Sequence, residues 1–292
     1  DKKDYCIYTD TDSVFYPALP LVKNRFPNAD TTDDKFMTEQ ILSVAKEVQD
    51  YINKSYDLFA GRMLNIKGEH RFDIKQECIA KSAFWVAKKR YGQWIINDGG
   101  LTCDKLDVKG LDIVRSSFPP AMRELMTKVL KDILSNEDKE IIDTTIIDFK
   151  NGMKKLSIDD IALPTGVKGL KKYSVKGKSG GIFTDTLKGT PVHVKAAIKY
   201  NDLLKYHNKV SVTPIRDKEK IKWAYLKSNP MNIQALGFKG YDDPQVILDF
   251  IQKYIDLDKL YKGALEKKIK MFYGALGWDM PLDKQNTLER FF

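Results

Sequence analysis

Apolar residues bracket a polar tip near the start of the chain, where Ile7, Tyr8, Val14 and Phe15 flank T-D-T-D. That pattern over residues 5–16 predicts strand, turn and strand, with the tip on a buried hairpin. Residues 36–56, FMTEQILSVAKEVQDYINKSY, set Ile41, Ala45, Val48 and Ile52 three or four apart, the spacing of an amphipathic helix. RFDIKQECIA and SAFWVAKKRYGQWIIN read as β-rich, and NDGG at 97–100 is a turn leading into LTCDKLDVKG. The pattern changes near 112–118. Ser and Pro precede a periodic run in SSFPPAMRELMTKVLKDIL, which predicts a helix from about 118. EDKEIIDTTIIDFKNGM and PVHVKAAIKYNDLLKYH read as further helices, KVSVTPI and KIKWAYLK as short strands. DPQVILDFIQKYIDLDKLYKGALEKKIKMFYGAL reads as a long helical stretch broken near 257. The predicted class is α+β: sheet with helices to about 115, then a mainly helical part, without internal repeats.

Composition narrows this picture only modestly. With 292 residues, 42% of them hydrophobic and 30% charged, the chain is an ordinary soluble globular protein of one large or two medium domains. No apolar run approaches a membrane span and no signal peptide opens it. A start at Asp1 without Met suggests a processed or truncated product. Cys6, Cys78 and Cys103 are odd in number and share no C-x-x-C spacing, so they read as reduced thiols of an intracellular protein. Charge changes the picture more. The net charge is +9, and ten lysines (168, 171, 172, 176, 178, 188, 195, 199, 205, 209) against Asp185 and Asp202 carry nearly all of it. Such a block is the footprint of a polyanion partner or, equally, a solvated lysine-rich face.

Asp10 and Asp12 stand one residue apart. On an extended strand both point to one side, where their repulsion calls for a compensating cation. A helix-loop-helix calcium loop counted from Asp10 needs Gly and Glu where Phe15 and Leu21 stand, so it fails. A solvated turn explains the tip but not its apolar flanks. A D-x-D metal site for a phosphorylated substrate remains, in a sugar-nucleotide transferase or a nucleotidyl transferase.

YTDTDSVF resembles motif C of family B DNA polymerases, a Tyr-Gly-Asp-Thr-Asp-Ser hairpin, with Thr9 where glycine is usual. A negative φ at Thr9 would make that departure tolerable. About 75 residues on, Lys88, Lys89, Arg90 and Tyr91 match the family's K-K-x-Y element, which follows the minor groove of the new duplex. Strand alternation would aim Lys89 and Tyr91 to one face, Lys88 and Arg90 to the other; the element also reads as a charged edge strand. By this resemblance, Asp12 bridges two Mg²⁺ ions that join a dNTP to a primer 3′-hydroxyl, with Asp10 in support and Glu77 at a nearby acidic position. KGLDIVRSSFPP resembles the passage from palm to thumb, with Lys109 and Arg115 as backbone contacts. GTPVHVKAAIKYN resembles the segment that grips the primer, with His193 and Lys195 as candidates there and Lys188, just before it, as a further DNA contact.

The last residues, DKQNTLERFF, spell Q-x-x-L-x-x-F-F with Gln285, Leu288, Phe291 and Phe292. One helical turn gathers them into a plug of the kind that enters sliding clamps; a terminus folded back on the thumb is the plainer alternative. The resemblance runs along nearly the whole chain and is strongest to the T-even-type phage branch. It implies a palm portion over 1–115, a thumb over 116–280 and a clamp-binding tail over 281–292. Motif A, the fingers helix and an exonuclease are not found, so the expectation is the C-terminal palm and thumb of a polymerase, truncated or naturally split. Its implied partners are primer-template DNA, dNTP, a sliding clamp and an N-terminal polymerase portion, without a membrane, in the cytoplasm (the host's, if phage-encoded). A non-catalytic DNA-binding and clamp-tethering module stays open as the second reading.

Overall fold

The acidic tip closes a two-stranded antiparallel ribbon, β1 (Tyr8–Asp10) and β2 (Ser13–Phe15), in register Tyr8 to Phe15 and Asp10 to Ser13. The ribbon is not the buried hairpin its apolar flanks predict. In the computed structural model, which describes residues 5–28, 30–175 and 183–281, Ile7 is exposed and Tyr8, Val14 and Phe15 are half-buried. Pro20 starts α1 (Leu19–Arg25). Asp33 then caps α2 (Asp34–Met63) by accepting from the amides of Lys35 and Phe36 at 2.9 and 3.1 Å. Helix α2 outruns its predicted end at 56 and stops just before Asn65, which takes a left-handed φ of 51°. Its first half buries Met37 and Val44 against Val22 of α1.

Residues 71–77 are not strand, although their composition reads so. Side chains of α2 take the backbone groups that a ladder would use. Asn53 accepts from the Ile74 amide at 2.8 Å and donates to the Ile74 carbonyl at 3.0 Å, and Gln49 accepts from the Gln76 amide at 2.9 Å. The strand begins at Cys78. β3 (Cys78–Ala87), β4 (Arg90–Asp98) and β5 (Leu101–Lys109) form a sheet in that order. Two-residue connections, Lys88–Lys89 and Gly99–Gly100, make it an antiparallel meander.

The chain divides into two compact units, Asp1–Phe84 with Gly92–Asp107, and Trp85–Tyr91 with Val108–Phe292. The tip of the β3–β4 hairpin thus groups with the second unit. There a 3₁₀ turn (Asp112–Val114) leads to α3 (Pro120–Leu134), which begins on Pro120 and buries Met122, Leu125, Met126, Val129 and Leu130 at helical spacing. α4 (Lys139–Gly152) and the short α5 (Ile158–Ile161) pack on α3.

The second unit also holds sheet, including the strand expected at KIKWAYLK. β6 (Leu163–Gly166) precedes a short helix α6 (Leu170–Tyr173) and the two-residue strands β7 (Ser174–Val175) and β8 (Asp185–Thr186). β9 (Lys220–Tyr225) pairs with β6 on one side and β10 (Ala235–Phe238) on the other, antiparallel throughout. α7 (Val192–Tyr206) lies on this sheet. Gly237 allows that approach, because a methyl group there would stand 3.3 Å from the Ala196 carbonyl carbon and oxygen. KVSVTPI forms no strand, since Asn201 binds both the amide and the carbonyl of Ile215, at 2.7 and 2.9 Å. The long C-terminal stretch breaks at 255–256, between α8 (Gln245–Tyr254) and α9 (Leu257–Leu260). It continues through a π-helical turn (Tyr261–Glu266) into α10 (Lys267–Leu276). Tyr273 of α10 donates to Asp143 of α4 at 2.6 Å, and its burial with that bond pushes the phenol well above its usual range.

Candidate active-site carboxylates and nucleic-acid interface

Asp10 ends β1, and Asp12 lies in the turn beyond it. The alternation expected of a continuous strand therefore stops at Asp10, and the turn sets the relation of the two acids. Thr11 between them takes φ 50°, a left-handed conformation that is a genuine outlier for a β-branched residue. The Asp12 amide donates to the Asp10 carbonyl at 2.6 Å, and the Ser13 hydroxyl donates to the same carbonyl at 3.1 Å. The Tyr8 and Thr11 hydroxyls each lie 3.3 Å from an Asp10 carboxylate oxygen. Asp12 is exposed, and among the described residues its carboxylate has no hydrogen bond or ion pair. Thr9 stays within the strand opposite Val14, outside the positive-φ residues, so its departure from glycine introduces no backbone conflict.

Among the described residues no three His, Cys, Asp or Glu gather to hold a metal ion. Glu77 is thus not collected with Asp10 and Asp12; it is exposed, and its carbonyl receives the Gly99 amide at 2.8 Å. The pair still suits a hard cation. Mg²⁺ takes oxygen ligands, keeps several waters and commonly needs one or two carboxylates with substrate phosphates completing its shell. An exposed Asp12 beside a half-buried Asp10 fits that requirement.

Lys88 and Lys89 form the turn of the β3–β4 hairpin, with Lys89 at φ 61°, so strand alternation does not sort this element either. Lys88, Lys89 and Arg90 are exposed at the tip. Tyr91 is half-buried, and its ring stacks on Trp85 across the hairpin at 5.7 Å between centroids. Lys109 ends β5 and is exposed. Arg115 pairs with Asp112 at 3.0 Å, and the same carboxylate receives Lys268 at 2.7 Å.

The lysine block is not uniform. Lys168, Lys171, Lys172, Lys188, Lys205 and Lys209 are exposed, whereas Lys199 is turned inward. Lys199 donates to the Thr184 carbonyl at 2.8 Å and lies 3.6 Å from Asp202, which is 2% exposed. Asp202 in turn accepts from the Thr184 amide and hydroxyl at 2.8 and 2.7 Å. This clasp closes the return of the chain onto α7, and neither residue is available to a ligand. Lys195 and His193 are half-buried on α7, and desolvation holds the His193 imidazole below its ordinary pKa. Gln285, Leu288, Phe291 and Phe292, like Lys176 and Lys178, lie outside the described residues. Cys6, Cys78 and Cys103 are free cysteines. No helix among the described residues is long and apolar enough to cross a membrane.

A half-buried Asp10 beside an exposed Asp12 on a strained turn, with a separate basic hairpin tip, has the chemistry that phosphorylated substrates call for. The family model of DNA polymerase family B matches residues 2–174, more than half of the chain, and this chain belongs to that family. Comparison with curated proteins returns no match. Membership places the chain among the nucleotidyltransferases, as a DNA polymerase with DNA and dNTP as substrates. The matched span includes both hairpin tips, Lys109 and Arg115. Lys188, His193, Lys195 and the C-terminal plug fall beyond it.

Sequence reasoning passed over Gly110, Asp112 and the Asp202–Lys199 clasp. The K-G-L-D turn was a visible signal for the first two, because glycine directly after a strand marks a close approach or a positive φ.

Proposed function

We propose that this chain supplies the palm carboxylates and the DNA-gripping surface of a template-directed DNA polymerase, with a palm portion over 1–115, a thumb over 116–280 and a clamp-binding tail over 281–292. The observation that carries this is Asp12, an exposed carboxylate without a hydrogen bond or ion pair among the described residues, held on a turn that costs backbone strain. Mg²⁺ bound there would neutralise charge on the primer 3′-oxygen and the dNTP phosphates as they react. Asp12 ligates directly, and Asp10, steadied by Tyr8 and Thr11, supports it. Lys88, Lys89, Arg90 and Lys109 meet duplex phosphates and groove edges. The exposed lysines 168–209 extend that contact, and Lys188 with Lys195 follows the primer.

A further polymerase portion completes the carboxylate set and binds the incoming nucleotide, so the isolated chain binds DNA with little turnover. The T-even-type phage branch, and with it the cytoplasm of a host cell, is part of this reading. It rests on the same motif C and K-K-x-Y elements, with Q-x-x-L-x-x-F-F added for clamp docking.

Primer extension by this chain mixed with an N-terminal polymerase half tests the proposal. Asp12→Asn is expected to abolish incorporation and to leave duplex binding within about threefold. Metal-dependent extension retained by that variant would overturn it. Extension absent even from the unaltered mixture, with duplex binding intact, is the outcome of the tethering-module reading. Deleting 285–292 is expected to spare distributive synthesis and remove stimulation by the clamp; unchanged processivity rejects the plug.

A further inference from the structure

The basic hairpin tip lies within the same unit as the segment after β5, and that segment carries a glycine with two separate reasons to be one. Gly110 has φ 67°, and a methyl group built on it would sit 1.9 Å from the Lys89 carbonyl oxygen and 3.4 Å from Arg90 Cγ. No other side chain fits there while the tip stays in place. Two residues on, Asp112 is 16% exposed by its side chain and receives both Arg115 at 3.0 Å and Lys268 at 2.7 Å. Lys268 stands three residues before Met271 on α10, hence on the same helix face, and Arg90 Nη1 lies 3.6 Å from Met271 Sδ. Phe118, Met126, Met271 and Phe272 close around Leu111–Ile113 beneath these contacts. The tip therefore touches Gly110 with its backbone and α10 with Arg90, while Asp112 ties that same segment to α10.

We infer that Gly110 and Asp112 are positioning residues, a seat that fixes the Lys88–Arg90 turn against α10 so that its cations meet duplex DNA at a set height and angle. The inference rests on the proposed DNA-gripping role of that turn. A long two-stranded hairpin held only at its base would let its tip swing, and cations on a swinging tip add charge without register. The seat removes that freedom at the tip itself, by main-chain contact, so it does not depend on which side chains the turn carries. Asp112 accepts two cations from different segments, which holds the seat to the helix. It also pairs with Arg115, whose side chain stays more than half exposed beside it.

The test is a double-mutant cycle on duplex primer-template binding by the full chain, pairing Gly110→Ala with the joint change Lys88→Ala and Lys89→Ala. Gly99→Ala is the control, because Gly99 has φ 58° and nothing within 4 Å of an added methyl. The lysine change alone is expected to weaken binding; if it does not, the gripping role itself fails and the seat has nothing to position. Given that loss, Gly110→Ala is expected to weaken binding by about tenfold and to make the lysine change nearly silent, a coupling of about fivefold or more. Gly99→Ala stays additive with the lysine change. Additive effects for Gly110→Ala, with folding confirmed, overturn the inference and reduce Gly110 to a structural glycine. Should Gly110→Ala fail to fold, Asp112→Asn enters the same cycle, since it keeps the side-chain shape and removes the charge. Coupling above about twofold then supports the seat, and additivity overturns it.

Discussion

The molecule carries two tight hairpin tips, one acidic and one basic, and they are built differently. Each is a two-residue turn that forces one non-glycine residue into the left-handed region, Thr11 at 50° and Lys89 at 61°. The acidic tip stands on strands of three residues, with Ile7 exposed below it. The basic tip stands on strands of ten and nine residues, and the glycine of another segment receives its carbonyl. Short strands with few buried side chains cannot hold a tip rigidly. Asp10 is thus met by local bonds from Tyr8, Thr11 and Ser13, whereas the basic tip meets Gly110 of a distant segment.

The sharpest way to break this comparison is to exchange the expected defects. Asp12→Asn is expected to lower extension by the assembled enzyme on the order of 10³-fold or more with duplex binding nearly unchanged. The joint change Lys88→Ala and Lys89→Ala is expected to do the reverse, weakening duplex binding and making its salt dependence shallower by about 1.8 log per log, for two phosphate contacts at about 0.9 each. Saturating DNA should then restore most of the extension rate. A lysine variant that stays slow at saturation would place the basic tip in the chemical step and dissolve the distinction.

Strain offers a finer probe. Thr11→Gly removes a left-handed conformation that costs a β-branched residue about 1 kcal/mol or more, and it also removes the Thr11 hydroxyl from Asp10. The Ile7 amide, bonded to the Phe15 carbonyl at 2.8 Å, reports the ribbon directly by hydrogen exchange. Its exchange is expected to slow by up to about fivefold in Thr11→Gly, as the folded ribbon gains what the turn had cost. Lys89→Gly is expected to leave the β3–β4 amides within about twofold, because the tip is held from outside the hairpin. Equal responses at the two tips would show that the seat contributes nothing to the basic one.

Much of this arrangement is legible in the chain's own pattern, and the parts that are not share one cause. The T-D-T-D turn, the NDGG turn, the Pro120 helix start and the break after Tyr254 are local, decided by residues within one turn of each other. Residues 71–77 and KVSVTPI have strand composition, yet Asn53, Gln49 and Asn201 take their backbone groups from elsewhere. Composition cannot report an amide that a distant side chain has already bound. The candidate site divides likewise. Asp10, Asp12 and Lys88–Tyr91 announce themselves by spacing and type. That Lys199 donates to Thr184, that Arg115 pairs with Asp112 and that Gly110 lies against the Lys89 carbonyl are tertiary facts that no local pattern announces.

His193 marks the smallest and most diagnostic effect. Its imidazole is held below the ordinary value by desolvation, whereas in the unfolded chain it takes up a proton near pH 6.5. Between the folded and unfolded pKa the unfolded state binds more protons, so stability rises with pH across that window. The contribution is complete above about pH 6.5 and is lost as pH falls through the folded value. Replacing the residue by His193→Gln is therefore expected to flatten the fall in Tm between about pH 7 and 5 relative to the unaltered chain, by a few degrees at most. Because the half-buried ring is neutral at pH 7.5, the same variant is expected to leave the salt slope of duplex binding unchanged there. A slope shallower by about 0.9 would instead mean that DNA draws a proton onto the ring. His193 would then join the lysines as a phosphate contact, and the cations would be set by the ligand as well as by the fold.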